Sequence, residues 1–169
     1  MAFNMRIGII SDTHMPSRAK GIPQELVKGL KGVDLILHAG DWTKPEVVHA
    51  FESLAPIDGV AGNNDGEEII RRFGRKKIIT LAGYRIGMIH GDGVRKKTEE
   101  RAWEAFADET VDVIVFGHSH VPFLRKHQGV LVFNPGSPTD KRRQPRYSYG
   151  VLTLANSIKA EHYYYDDKT

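Results

Sequence analysis

The chain has no cysteine, which excludes disulfide bridges, iron–sulfur clusters and thiolate zinc sites. Any metal must be held by imidazole, carboxylate, amide or carbonyl groups. Long apolar runs are missing as well. The longest stretches, such as residues 111–116, fall far short of the roughly 20 residues that cross a bilayer. Near the N-terminus a single Arg6 precedes only Ile7, Gly8, Ile9 and Ile10 before Ser11 and Asp12 intervene, too little for the apolar core of a signal peptide. A strong charge of one sign is also lacking: 24 Lys plus Arg against 21 Asp plus Glu leave +3. That small excess suits anionic substrates without demanding a nucleic-acid partner. No repeat or low-complexity segment occurs. With 169 residues, 40% hydrophobic and 27% charged, the expectation is one globular, cytoplasmic domain over residues 1–169.

The first third alternates strand and helix. Residues 6–10 form a short apolar run of the kind found in strands covered on both faces. Pro23 suits the start of a helix that ends near Gly32, and residues 34–38 read as the next strand. Thr43 and Glu46 have capping-box spacing, with Val47, Ala50, Phe51 and Leu54 at helical spacing behind them. Residues 57–61 make a third strand. This βαβαβ order implies parallel strands.

The second half changes character. Residues 77–81 and 85–89 flank Ala82-Gly83-Tyr84, a hairpin signal. A helix over about residues 99–108 presents Ala102, Trp103, Phe106 and Ala107 on one face. Residues 111–116 read as a buried strand, and residues 123–126, 130–133, 147–154 and 158–163 as further short strands. Residues 134–146, with Pro135, Pro138 and Pro145 among Lys141, Arg142 and Arg143, read as a long surface loop. Mixed strands with few helices predict an α/β sandwich.

The strand ends carry the informative pattern. Asp12 and His14 come just after the first strand, Asp41 after the second and Asn63 after the third; His90 comes after the second hairpin strand, and His118 and His120 after residues 111–116. In α/β sheets the ligand crevice lies beyond the carboxyl ends of the strands. Pairs at i, i+2 share a face of an extended segment, so Asp12 with His14, and His118 with His120, can each aim two donors into one place. Seven such O and N donors exceed what one ion needs and suit two ions about 3.5–4 Å apart. His38 reads as a core group, and His49, His127 and His162 as surface residues. The basic runs at residues 71–77, 95–97 and 141–146 read as solvated faces.

The ordered set Asp12-Thr13-His14, Gly40-Asp41, Gly62-Asn63-Asn64-Asp65, His90 and Gly117-His118-Ser119-His120 resembles the signature of the calcineurin-like metallophosphoesterase superfamily. The likeness runs from about Met5 to Tyr149. It includes the turn Asn134-Pro135-Gly136-Ser137, typical of the small bacterial and archaeal phosphodiesterases of that superfamily. The resemblance implies a four-layer αββα sandwich of two mixed β-sheets flanked by helices. It also implies a binuclear-metal-dependent phosphodiesterase that hydrolyses P–O bonds with a metal-bridging hydroxide.

By the same resemblance Asp12, His14 and His120 would hold one metal, Asn63, His90 and His118 the other, and Asp41 would bridge both. The implied ions are two divalent metals, Mn foremost, with Fe, Ni or Zn as alternatives. One departure stands out: Asn64 occupies the place where the family pattern has a histidine thought to protonate the leaving group. An amide does not titrate near neutral pH, so Asn64 is expected to hydrogen-bond a phosphate oxygen rather than act as general acid. Asp65, which would orient that histidine in the catalytic set, loses its partner. Arg142 and Arg143, beside the turn at residues 134–137, are the candidate contacts to substrate phosphate. The expected partner is a small phosphodiester, with neither membrane nor nucleic acid, and a homo-oligomer is compatible with this composition. The alternative is a catalytically weak scaffold or interaction module that keeps the fold.

Overall fold

Two buried faces on the central strands set the architecture. In β1 (Met5–Ile10), Ile7 and Ile9 point to one side while Gly8 and Ile10 point to the other, and all four are buried. The computed structural model describes residues 4–169. After β1 come α1 (Gln24–Gly29), β2 (Leu35–His38), α2 (Glu46–Glu52), β3 (Ile57–Gly59), α3 (Glu67–Phe73), β4 (Lys76–Leu81) and β5 (Tyr84–Ile89). The chain then forms α4 (Thr98–Ala105), β6 (Val113–Val115), β7 (Phe123–His127), β8 (Val130–Asn134), β9 (Tyr147–Leu154) and β10 (Ile158–Tyr165).

The strands make two five-stranded sheets, ordered β10-β9-β1-β2-β3 and β4-β5-β6-β8-β7. Both are mixed. β1, β2 and β3 run parallel while β9 and β10 are antiparallel; β5, β6 and β8 run parallel while β4 and β7 close the edges as hairpin partners. Ile7, Ile9 and Leu37 of the first sheet pack against Ile86, Met88, Val113, Val115 and Phe133 of the second in an apolar layer between them. On the outside, Leu26, Val47, Val48, Phe51, Ile69 and Phe73 bring α1, α2 and α3 onto the first sheet. Ala102 and Phe106 cover the second from α4 and the turn beyond it. The result is the four-layer αββα sandwich that the sequence resemblance implied. Burying a side chain such as Phe51 stabilises the fold by about 2–3 kcal/mol.

Three local expectations are corrected, and one helix is added to the sequence pattern. First, α2 has Pro45 at its N-cap with no side-chain cap, and Thr43 stands outside the helix at φ 90°; the two intervening residues, Lys44 and Pro45, shift the start past the capping-box frame. Second, the sequence reading gives residues 71–77 only as a basic run, yet α3 forms over residues 67–73. Its signals are Ile69 and Phe73 at i, i+4 on the buried face and a 2.6 Å ion pair from Arg71 to Glu67. Third, residues 134–140 do not lie on the surface. They are buried, because Asn134 and Ser137 satisfy neighbouring backbone groups: Asn134 Nδ2 donates to Gly117 O at 3.0 Å, and Ser137 Oγ donates to Asp12 O at 2.9 Å. Fourth, His162 is half-buried, stacked on Phe133, with Nε2 at 2.6 Å from Asn134 O.

Candidate metal centre

Asp12, His14, Asp41, His90 and His120 meet at one end of the sandwich, in two compact groups that share Asp12. They lie beyond the carboxyl ends of β1, β2, β5 and β6, where such sheets open their crevice. Asp12 Oδ1 lies 3.6 Å from His90 Nε2, 3.5 Å from His120 Nε2 and 3.9 Å from His14 Nε2. Asp41 Oδ2 lies 3.3 Å from His90 Nε2 and 3.6 Å from His14 Nε2. Both carboxylates therefore stand between imidazoles, and Asp12 is as central as Asp41.

Buried polar atoms are nearly always paired. Among the described residues, five buried side-chain polar atoms have no hydrogen-bond partner, and four are Asp12 Oδ1 and the Nε2 atoms of His14, His90 and His120. Four unpartnered atoms converging on one point fit a cation. The tautomers agree: Nδ1 of His90 meets Ala39 O at 2.8 Å and Nδ1 of His120 meets Asp140 O. A carbonyl only accepts, so each Nδ1 carries a proton and Nε2 is the nitrogen that faces inward. The nitrogen and oxygen donor set suits Mn, Fe, Ni or Zn without choosing among them.

The backbone is strained where the candidate ligands sit. Asp12, His14, Asp41, His118 and His120 have φ of 57°, 45°, 62°, 71° and 63°. Left-handed φ costs a non-glycine residue about 1–2 kcal/mol, and such strain collects at functional sites. Neighbouring loops hold it in place: Asp12 N–H donates to Gly40 O at 2.9 Å and His14 N–H to Asp41 O at 3.1 Å. Ser11 Oγ and His118 N–H both donate to Asp12 Oδ2, at 2.7 and 2.9 Å, which fixes the carboxylate with Oδ1 turned inward. Thr139 Oγ1 donates to Thr13 O at 2.6 Å. The flanking glycines serve close approach: a Cβ on Gly117 would stand 1.9 Å from Ser11 Oγ, and one on Gly62 2.2 Å from Asp41 Oδ1.

Asn63 and His118 line the rim rather than the buried group. His118 Nδ1 meets Asn63 Oδ1 at 3.2 Å, and the His118 ring packs edge-on against His90 with centroids 5.2 Å apart. Asn64 turns inward, its side-chain amide donating to Asp41 Oδ2 at 2.8 Å. Asp65, whose expected histidine partner is absent, has backbone partners instead. Its Oδ2 accepts the N–H of Asp41 at 2.8 Å and of Gly62 at 2.7 Å, and its Oδ1 accepts the N–H of Thr43 at 2.8 Å. It ties the loop of Asp41 and Thr43 to the loop of Gly62, and only these partners, not its sequence position, show this. Arg142 and Arg143 occupy a turn closed by Gln144 N–H on Lys141 O at 2.9 Å. Arg142 reaches Asp140, whereas Arg143 is exposed and makes no ion pair among the described residues. His38 is buried, 3.0 Å from Thr13 Oγ1 and stacked on Trp42.

Charge balances within the site. Burial pushes His90 down, but Asp12 and Asp41 together outweigh it and hold its pKa up at about 9. Burial would raise Asp41, yet the facing His90 imidazole and the two Asn64 donors keep it well below the usual carboxylate range. His14 and His118 are lowered by burial.

Residues 5–157 match the family model of the calcineurin-like phosphoesterase superfamily domain. The chain belongs to this superfamily. A probable metallophosphoesterase of Methanothermobacter thermautotrophicus is 38% identical over 142 residues, covering 82% of this chain and 80% of the relative. A phosphodiesterase of Methanocaldococcus jannaschii is 31% identical over 146 residues, covering 78% and 83%. Among solved structures, Vps29 of Chaetomium thermophilum superposes with a TM-score of 0.76 at 21% identity, over 96% of this chain and 98% of that one, a likeness of fold. The two buried Asp/His groups of this phosphoesterase fit a binuclear metal site. No helix among the described residues is long and apolar enough to cross a membrane.

Proposed function

We propose that this phosphoesterase is a phosphodiesterase that uses two divalent ions, Mn foremost, to hydrolyse a small phosphodiester. The convergence of Asp12 Oδ1 and three unpartnered imidazole nitrogens carries the reading. Asp12, His14 and His120 would hold one ion and Asn63, His90 and His118 the other, with Asp41 between them. When bound, the ion pair supplies a water nucleophile at neutral pH and neutralises charge on the phosphate. The protein supplies geometry. The carbonyls of Ala39 and Asp140 fix the ring orientation of His90 and His120, and Ser11 and the His118 N–H fix Asp12. Asn64 cannot give a proton to the leaving group near neutral pH, so departure relies on water or on a leaving group that is already stable as an anion. The 31% identical relative named a phosphodiesterase supports the choice of diesters.

Metal analysis of the purified protein, followed by a panel of aryl mono- and diesters with Mn, Fe, Ni and Zn, tests the reading. Two bound ions and diester turnover are expected. Two bound ions with no turnover of any ester would favour a scaffold role instead.

A further inference from the structure

Arg142 and Arg143, the substrate contacts expected from the sequence, part company in the structure, and another arginine joins Arg142. Asp140 is buried, and its Oδ2 lies 3.4 Å from Arg18 Nε and 3.8 Å from Arg142 Nε. Both arginine side chains are more than half exposed, at 60% and 57%, and among the described residues neither pairs with another carboxylate. Each approaches Asp140 through Nε, and among the described residues the terminal nitrogens of its guanidinium fork make no hydrogen bond. Two guanidinium charges against one carboxylate leave a surplus positive charge.

The place is defined by the ligands themselves. Asp140 Oδ2 is 4.0 Å from His120 Nδ1, and the Asp140 carbonyl accepts the hydrogen bond from that same nitrogen. Arg18 comes one turn after His14, with its N–H on His14 O at 2.9 Å. Lys168 Nζ donates to Arg18 O at 2.6 Å and Thr139 O at 3.0 Å, clamping the two arginine-bearing segments together. Arg142 sits at φ 49°, a conformation an arginine adopts only at a cost. So the braced arginine pair is tied to the backbone of His14 and, through Asp140, to the Nδ1 side of His120. Guanidinium forks match phosphate oxygens in a bidentate manner.

We infer that Arg18 and Arg142, braced on Asp140, form a second phosphate subsite beside the metal centre, selecting phosphodiesters that carry an additional terminal phosphate. The inference rests on the phosphodiesterase reading, with the scissile phosphate at the metal centre and the terminal phosphate on the arginines.

The test compares two probes that differ by one phosphate: the p-nitrophenyl ester of thymidine 5′-phosphate, with and without a 3′-phosphate. In the Mn-loaded wild-type protein the phosphorylated probe should have a kcat/KM about tenfold higher, a figure suited to exposed, charge-assisted contacts. In the Arg18→Ala/Arg142→Ala double variant this ratio should fall toward one, mostly through KM, and the double Lys variant should keep part of it. Arg72→Ala, on α3 and paired with Glu52, controls for a general loss of charge. A wild-type ratio near one, or an undiminished ratio in the double variant, overturns the inference. If neither probe turns over with any metal, the phosphodiesterase reading fails, and calorimetry with thymidine 3′,5′-bisphosphate decides the subsite: weaker binding to the double variant upholds it, equal binding overturns it.

Discussion

Asn64 grips both oxygens of Asp41, its backbone N–H on Oδ1 and its side-chain amide on Oδ2, each at 2.8 Å. The residue where the family pattern has a proton donor is thus spent on a metal-ligand candidate, and it has no proton to give near neutral pH. The rate of diester hydrolysis should therefore depend steeply on the pKa of the leaving alcohol. Asn64→His should flatten that dependence, read as the slope of log kcat/KM across substituted phenyl esters. A flat profile in the wild-type protein would contradict the role given to Asn64.

Asp41 Oδ2 lies between His14 and His90, one from each expected ion site. Asp41→Asn removes the charge that both sites share while keeping the shape. Metal occupancy should fall from two ions to one or none by elemental analysis, with hydrolysis lost alongside. Retention of both ions would assign the shared position to Asp12, the residue common to both buried groups.

Asp65 holds the N–H groups of Asp41, Thr43 and Gly62 at once. Removing a buried acceptor leaves those donors unsatisfied, so Asp65→Ala should cost about 3 kcal/mol in urea denaturation. Asp65→Asn, which keeps one acceptor oxygen, should cost less. If Asp65 only positions the loops, Asp65→Asn should also keep the pH–rate profile of the wild-type protein, since no titrating catalytic group is lost.

Much of this molecule is legible in its sequence, because its central strands are short, apolar and followed by candidate ligand residues. The order of Asp12, Asp41, His90 and His120 at successive strand ends places four chemistry-bearing loops at one rim before any coordinates are known. What local pattern hides is what distant segments do to each other. Residues 134–140 carry three turn-forming residues in Pro135, Gly136 and Pro138 and so read as a surface loop, yet Ser137 and Thr139 reach 125 and 126 residues back to bond the backbone of Asp12 and Thr13. Asp65 reads as the helper of an absent histidine because its backbone partners lie in loops far along the chain or across a turn. The strained φ at five candidate ligand residues is equally silent in sequence, since Asp and His are ordinary residues until the surrounding contacts force them left-handed.

The pH dependence of stability offers the last check on the site's charge balance. In the EDTA-treated protein His90 faces two carboxylates and holds its proton up to about 9, against an ordinary value near 6.5. Across that interval the folded protein binds a proton that the unfolded chain has released, so stability falls as pH rises. The contribution is complete below about 6.5 and lost as pH climbs through about 9. Asp41, lowered instead, contributes stability that is present above its ordinary carboxylate range and constant across this interval. His14, His38, His118 and His162 are all lowered by burial and titrate below the window, while Tyr149 and Tyr165 are raised by burial and titrate above it. Melting of the EDTA-treated protein should therefore shift to lower temperature from about pH 7 to about pH 9.5, and His90→Asn should abolish most of that shift. Saturating Mn should stabilise the protein more at the upper end, because a ligand nitrogen must be unprotonated to bind. A melting temperature that stays level in EDTA, or a Mn-induced gain that shrinks with pH, would mean that His90 does not face both carboxylates.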